Sequence, residues 1–180
     1  MQNCAKKLEF EFDNSTNALI ASLQHMLEYI TGIIPTDTDS EDILFRCKVI
    51  ITELLTNAIK HAGENTTLFD IEADARRLVI RKTDHGAPLY LVDIHNHTAA
   101  DQPANKKLIS ADPLNSLYAH WESENSIRFI SEESSIDDFT SVEQVMEHFG
   151  ILIISRSADE FTYTYHKKDK SNVFKVRIDL

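Results

Sequence analysis

Cysteine is nearly missing from this chain: Cys4 and Cys47 are the two in 180 residues. Two cysteines cannot build a disulfide framework, and Cys47, on an apolar helix stripe, reads as a buried thiol. Long apolar runs are also missing. Nothing approaches the roughly 20 residues of a membrane span, and no secretory leader pattern is visible. A soluble protein of the cytoplasm is the expectation. Positive charge is in short supply, with 18 Lys and Arg against 29 Asp and Glu and a net charge of −11. Such a chain gains no counterion release on nucleic acid and is repelled by anionic lipid, so neither is an expected partner. A polyphosphate ligand would need local dipoles or a bound Mg²⁺. What is present, 42% hydrophobic and 26% charged residues, suits one ordinary globular domain with a real core.

The strand and helix periods place most elements. "KKLEFEF" alternates Leu8, Phe10 and Phe12 against charged residues, a half-buried strand. "DNST" offers N-caps for a helix carrying Leu19, Ile20, Leu23, Met26, Leu27 and Ile30, with Gly32 as its stop and Pro35 in the following loop. Thr38 and Glu41 fit a capping box that opens a second helix running to Gly63. "TTLFDIEAD" and "RRLVIRKT" read as two strands, "DHGAP" as a turn and "LYLVDI" as another strand. Between His97 and Glu147 the patterns weaken. "DPLNSLYAHW" reads as a short helix, "SIRFIS" as a short strand, and "SVEQVMEHFG" as a helix ending at Gly150. So long an interrupted connection reads as a lid over a site. "SNVFKVRIDL" is a closing strand. The expected class is α+β, a two-layer sandwich with a mixed β-sheet and helices on one face.

The second helix carries the candidate chemistry. In "ITELLTNAIKHAG", with Glu53 at zero on the helical wheel, Asn57 falls at about 40°, Lys60 at about −20° and His61 at about 80°. Ile43, Cys47, Ile50, Leu54 and Ala58 occupy roughly 60° to 140°. The polar four border the buried stripe, where side chains are half desolvated. Flanking a core helix is the plain alternative, and for His61 that alternative is a C-terminal cation favoured by the helix dipole.

Three segments in order carry a resemblance. "ELLTNAIKHA" resembles the asparagine box of the histidine-kinase-like ATPase superfamily, which includes gyrase B, heat-shock protein 90 and sensor kinases. "NAIKHA" is most similar to the anti-sigma-factor serine kinases. "TDHGAP" resembles their Asp-x-Gly turn, and "HFGILIISRSADEFTY" their last glycine box. The resemblance implies a single ATP-binding domain over residues 1–180 with 97–147 as an extended lid. It implies ATP and Mg²⁺ as cofactors and γ-phosphoryl transfer to a serine of a partner protein, an anti-sigma antagonist or a sigma-like factor; a homodimer is compatible with it. Glu53 then becomes the catalytic base and Asn57 the Mg²⁺ ligand. Lys60 and His61 lie beside the phosphates, Asp84 takes the adenine amine, and Gly86 admits the ring. Gly150 presents backbone amides to phosphate at a helix start. The chain departs from the pattern at His148, in place of a glycine, where the imidazole either donates to phosphate or closes the site. It departs again at Asn172, where a threonine is usual. With four glycines in all, the lid lacks glycine-rich flexibility. A rival register makes Asp93 the adenine carboxylate; Asp84 fits better because Gly86 and Pro88 follow it. The alternative function is a non-catalytic regulator with a degenerate ATP site. His95 and His97 read as surface histidines, His85 as a turn residue and "SEESSIDD" as a solvated run. Trp121 and Tyr118 read as packing, and Lys106 and Lys107 as exposed.

Overall fold

The computed structural model describes residues 6–35, 39–89, 91, 105–133 and 142–180. In chain order these form β1 (Lys6–Asp13), α1 (Thr16–Ile33), α2 (Ser40–His61), β2 (Thr66–Ala73), β3 (Arg77–Asp84), β4 (Lys106–Ala111), β5 (Asn115–Ser123), β6 (Ser126–Glu133), α3 (Val142–Ser157), β7 (Glu160–His166) and β8 (Ser171–Asp179). All eight strands join one sheet in the order β1-β2-β3-β8-β7-β6-β5-β4.

Every neighbouring pair in that sheet is antiparallel. This corrects the expected two-layer sandwich with a mixed sheet and helices on one face: the fold is built on a wide, wholly antiparallel sheet accompanied by three helices. The physical reason lies in the connections. β2–β3, β5–β6 and β7–β8 are joined by short turns, which can only reverse the chain. The join between β1–β3 and the remaining five strands is β3 against β8, with Ile80 opposite Val176 and Leu78 opposite Ile178.

The described part of the span read as a lid is mostly sheet. Residues 106–133 form β4, β5 and β6, while 97–104 and 134–141 lie outside the described residues, as do Asp93, His95 and His97. "NSLYAHW" is strand, not helix: Leu117 and Ala119 are buried, and so is Tyr118 between them. Apolar residues on both faces of a strand erase the period-two signal.

The core joins the apolar stripe of α2 to alternate residues of the strands. Ile43, Cys47, Ile50, Leu54 and Ala58 are all buried, in one cluster with Phe12, Phe69, Ile71, Ile80, Phe161 and Val176. Ser15 caps α1, its hydroxyl accepting from the Ala18 amide at 3.3 Å. That helix passes through Gly32 and ends at Ile33. α2 starts at Ser40 behind Asp39, which makes no side-chain cap bond; Thr38 lies outside the described residues.

Burial pushes the Cys47 thiol up to about 12. The thiolate is the reactive form, so it is absent at neutral pH. Iodoacetamide at pH 7.5 is therefore expected to leave Cys47 unmodified in the folded protein and to alkylate it in urea. Peptide mass mapping reads the difference, and rapid alkylation of Cys47 without denaturant would contradict the packing around α2.

Candidate functional site

Two clusters hold the residues singled out in the sequence. The first lies between α2 and α3. Arg46 near the start of α2 donates through Nε to the carbonyl of Ser157, the last residue of α3, at 2.7 Å and pairs with Asp159, two residues beyond it, at 2.6 Å. Further along α2, Glu53 and Asn57 meet Gly150. The two helices therefore run antiparallel, and α3 lies along the Glu53–Asn57 edge. A Cβ on Gly150 would fall 2.7 Å from Glu53 Oε2 and 3.7 Å from Asn57 Nδ2. The glycine is what permits this approach.

Gly150 does not open a helix. It lies inside α3, which runs unbroken from Val142 to Ser157. This corrects the reading of "HFG" as a turn before a helix. An interior helical amide is bonded within its own helix and is not presented to an anion. His148 is buried at 6% exposure in the same helix. Lys60 and His61 are exposed at the end of α2, about one turn beyond the half-buried Asn57.

The second cluster is a buried polar network at the β3–β8 seam. Asp84 and Asn172 are register partners, and they are 4% and 2% exposed. Asp84 Oδ1 accepts from the Gly86 amide at 3.0 Å and from Asn172 Nδ2 at 2.9 Å. Its Oδ2 accepts from Lys82 Nζ at 2.5 Å. Asn172 Nδ2 also donates to the carbonyls of Gly86 at 3.0 Å and Ala87 at 3.3 Å. Its carbonyl oxygen accepts from the Tyr163 hydroxyl at 2.8 Å, which in turn accepts from the Leu89 amide at 2.9 Å. Lys82 is 2% exposed and stands 4.7 Å from the centroid of the Phe174 ring. Burial pulls the Lys82 amine below its ordinary value, opposed by the charge and hydrogen bond of Asp84. Burial likewise pushes the Tyr163 phenol up.

Gly86 is held by close backbone approach. A Cβ there would lie 2.5 Å from the His61 carbonyl oxygen and 2.7 Å from that of Ala62. Gly63, with φ +72°, is the left-handed residue just after α2, and its own Cβ position lies 3.3 Å from Gly86 Cα. The end of α2 and the turn after β3 thus cross at two glycines.

Asp84, Gly86 and Asn172 come together, as do Glu53, Asn57 and Gly150. Lys82 was missed in the sequence, because a lysine in a strand ordinarily reads as solvated. Its signal was parity: Leu78, Ile80, Lys82 and Asp84 alternate along one side of β3, and all four are buried. Lys106 Nζ lies 4.1 Å from the Tyr118 ring centroid and Lys107 Nζ 5.5 Å from that of Trp121, so these four residues pair on the sheet.

Both Asp84 oxygens are engaged by the protein's own donors, and Gly150 presses on the Glu53 carboxylate. Among the described residues no group of three His, Cys, Asp or Glu side chains is placed to share a metal ion, and no helix is long and apolar enough to cross a membrane. No protein-family model matches the chain, and no curated protein is significantly similar to it.

Proposed function

We propose that this chain is a non-catalytic regulator that acts by binding a partner protein, with the residues resembling an ATP site turned to internal structure. One observation carries the reading: the carboxylate that would select adenine is buried and already accepts from Lys82, Asn172 and the Gly86 amide. A ligand amine would have to share a buried carboxylate that three of the protein's own donors already engage, a poorer site than an open one. The motif order that resembles anti-sigma-factor kinases points to a cytoplasmic partner of the sigma-factor or antagonist kind.

Calorimetry with MgATP and MgADP tests it beside γ-phosphate release. The expected result is no binding heat at about 1 mM nucleotide and no phosphate release, with Glu53→Ala indistinguishable from wild type. Nucleotide binding with transfer to a serine of a partner would overturn the proposal. It would restore the kinase reading, with Glu53 as base and Asn57 as metal ligand. That reading predicts a split: Glu53→Ala keeps affinity and loses roughly a hundredfold or more in rate, while Asn57→Ala loses both.

A further inference from the structure

The segment after β3, Gly86 to Leu89, belongs to no helix or strand. Among the described residues no backbone–backbone hydrogen bond holds it. Three side chains do. The Gly86 amide donates to Asp84 Oδ1 at 3.0 Å, and the Gly86 and Ala87 carbonyls accept from Asn172 Nδ2 at 3.0 and 3.3 Å. The Leu89 amide donates to the Tyr163 hydroxyl at 2.9 Å. Asp84 ends β3, Asn172 lies in β8 and Tyr163 in β7. These strands are neighbours in the sheet, so the segment is fastened across them as a strap. Its Ala87 and Pro88 are exposed, while Lys82, Asp84, Asn172 and Tyr163 are all buried.

The fastenings form one chain through Asn172. Tyr163 accepts from the Leu89 amide and donates its own proton to Asn172 Oδ1 at 2.8 Å. The Asn172 oxygen is thereby set toward Tyr163 and its nitrogen toward Asp84, Gly86 and Ala87. A side-chain amide nitrogen carries two hydrogens, and here it meets three acceptors, at 2.9, 3.0 and 3.3 Å. One of the three is always short of a full bond. Because the links are in series, losing one loosens the others.

The strap also bears on α2. A Cβ on Gly86 would lie 2.5 Å from the His61 carbonyl oxygen, a contact of packing and not of hydrogen bonding. Lifting the strap frees the end of α2 without breaking a bond of the helix. A segment with few fastenings and a solvated outer side opens at lower cost than the sheet beneath it.

We infer that Gly86–Leu89 is a conformational switch that opens as one unit, with Asn172 as its keystone, while the sheet stays folded. Closed, it keeps the Lys82–Asp84 pair dry and pins the end of α2. Open, it brings both charges to water and releases that end. The inference goes beyond the regulator reading and does not depend on it.

Native-state amide exchange on the full chain, at stepped urea below the unfolding transition, tests it. In wild type the Gly86 and Leu89 amides should share one opening constant that urea leaves unchanged. Core amides of β3 and β8 should exchange more slowly and accelerate with urea. Tyr163→Phe deletes one hydroxyl and should speed Leu89 and Gly86 by the same factor, about tenfold, although Tyr163 does not bond Gly86. Asn172→Asp keeps the shape but sets a carboxylate against Asp84 and two carbonyls, and should speed both amides about a hundredfold or more. Where Asn172→Asp fails to fold, Tyr163→Phe decides alone. Unprotected Gly86 and Leu89 amides in wild type, protection that follows the core amides in urea, or a Tyr163→Phe effect that is absent or confined to Leu89 would overturn the switch. MgATP binding with phosphoryl transfer would remove the regulator reading and leave these exchange results untouched.

Discussion

Gly86→Ala is expected to destabilise the protein by about 3 kcal/mol, while Gly150→Ala stays within about 1 kcal/mol of wild type. Both glycines sit against α2, but different atoms oppose the added methyl. At Gly86 the Cβ would meet backbone: the His61 oxygen at 2.5 Å, the Ala62 oxygen at 2.7 Å and the Ala62 carbonyl carbon at 2.9 Å. Backbone at a helix end cannot step aside without moving the helix. The turn itself is tied down, since the Gly86 amide donates to Asp84 and the Gly86 carbonyl accepts from Asn172. Displacement would open the buried network as well as strain the crossing.

At Gly150 the nearest atom is Glu53 Oε2, at 2.7 Å, the far end of a flexible side chain. The carboxylate can swing outward, and alanine gains about 1 kcal/mol of helix propensity over glycine. The two effects oppose each other. Adding Glu53→Ala to Gly150→Ala removes the clash and should make the double variant more stable than Gly150→Ala alone. Urea denaturation midpoints with unchanged slopes report all three differences. Equal losses at Gly86 and Gly150 would mean that the close approach at Gly86 does not govern the crossing of α2 and β3.

The parts of the fold legible in the sequence are those with one buried face. β1 and β2 alternate along their length, and the α2 stripe from Ile43 to Ala58 is buried as its spacing predicts. The illegible parts are buried on both faces or apolar throughout. Tyr118 fills the face of β5 opposite Leu117 and Ala119, so its period vanished. "ILIIS" fits a helix or a strand equally, and here it continues α3. Short motifs misled for a related reason. "DHGAP" and "HFG" specify glycines at close approaches, and such glycines serve helix packing as readily as they serve a ligand. Which of the two holds depends on the partner atoms, supplied by His61, Ala62 and Glu53, one of the helix's own side chains and two of its terminal carbonyls. The candidate site was legible as a set of residues and not as an arrangement, because Lys82 decides the chemistry of Asp84.

Lys82→Met and Asp84→Asn are each expected to cost about 3 to 5 kcal/mol, and the double variant to recover most of that loss. Lys82 and Asp84 are 2% and 4% exposed. Removing either one leaves the other without its opposite charge in a dry seam. Lys82→Met keeps the stem's contact with Phe174 but leaves the carboxylate to the neutral donors of Gly86 and Asn172. Asp84→Asn leaves a buried ammonium. The pH dependence separates these cases. Burial already holds the Lys82 amine below its unfolded value of 10.5, against the pull of Asp84. In Asp84→Asn that pull is gone and the folded-state value falls further. Between the folded and unfolded values the unfolded chain binds more protons, so stability rises with pH across that window. The Asp84→Asn variant should therefore regain stability as pH is raised toward 10, more steeply than wild type, and the double variant should lack this slope. Urea midpoints at stepped pH give the comparison. If Asp84→Asn instead loses no stability and shows no added pH slope, Lys82 is not held charged against Asp84. The carboxylate would then be available to a ligand, and the case for a degenerate nucleotide site would lose its central observation.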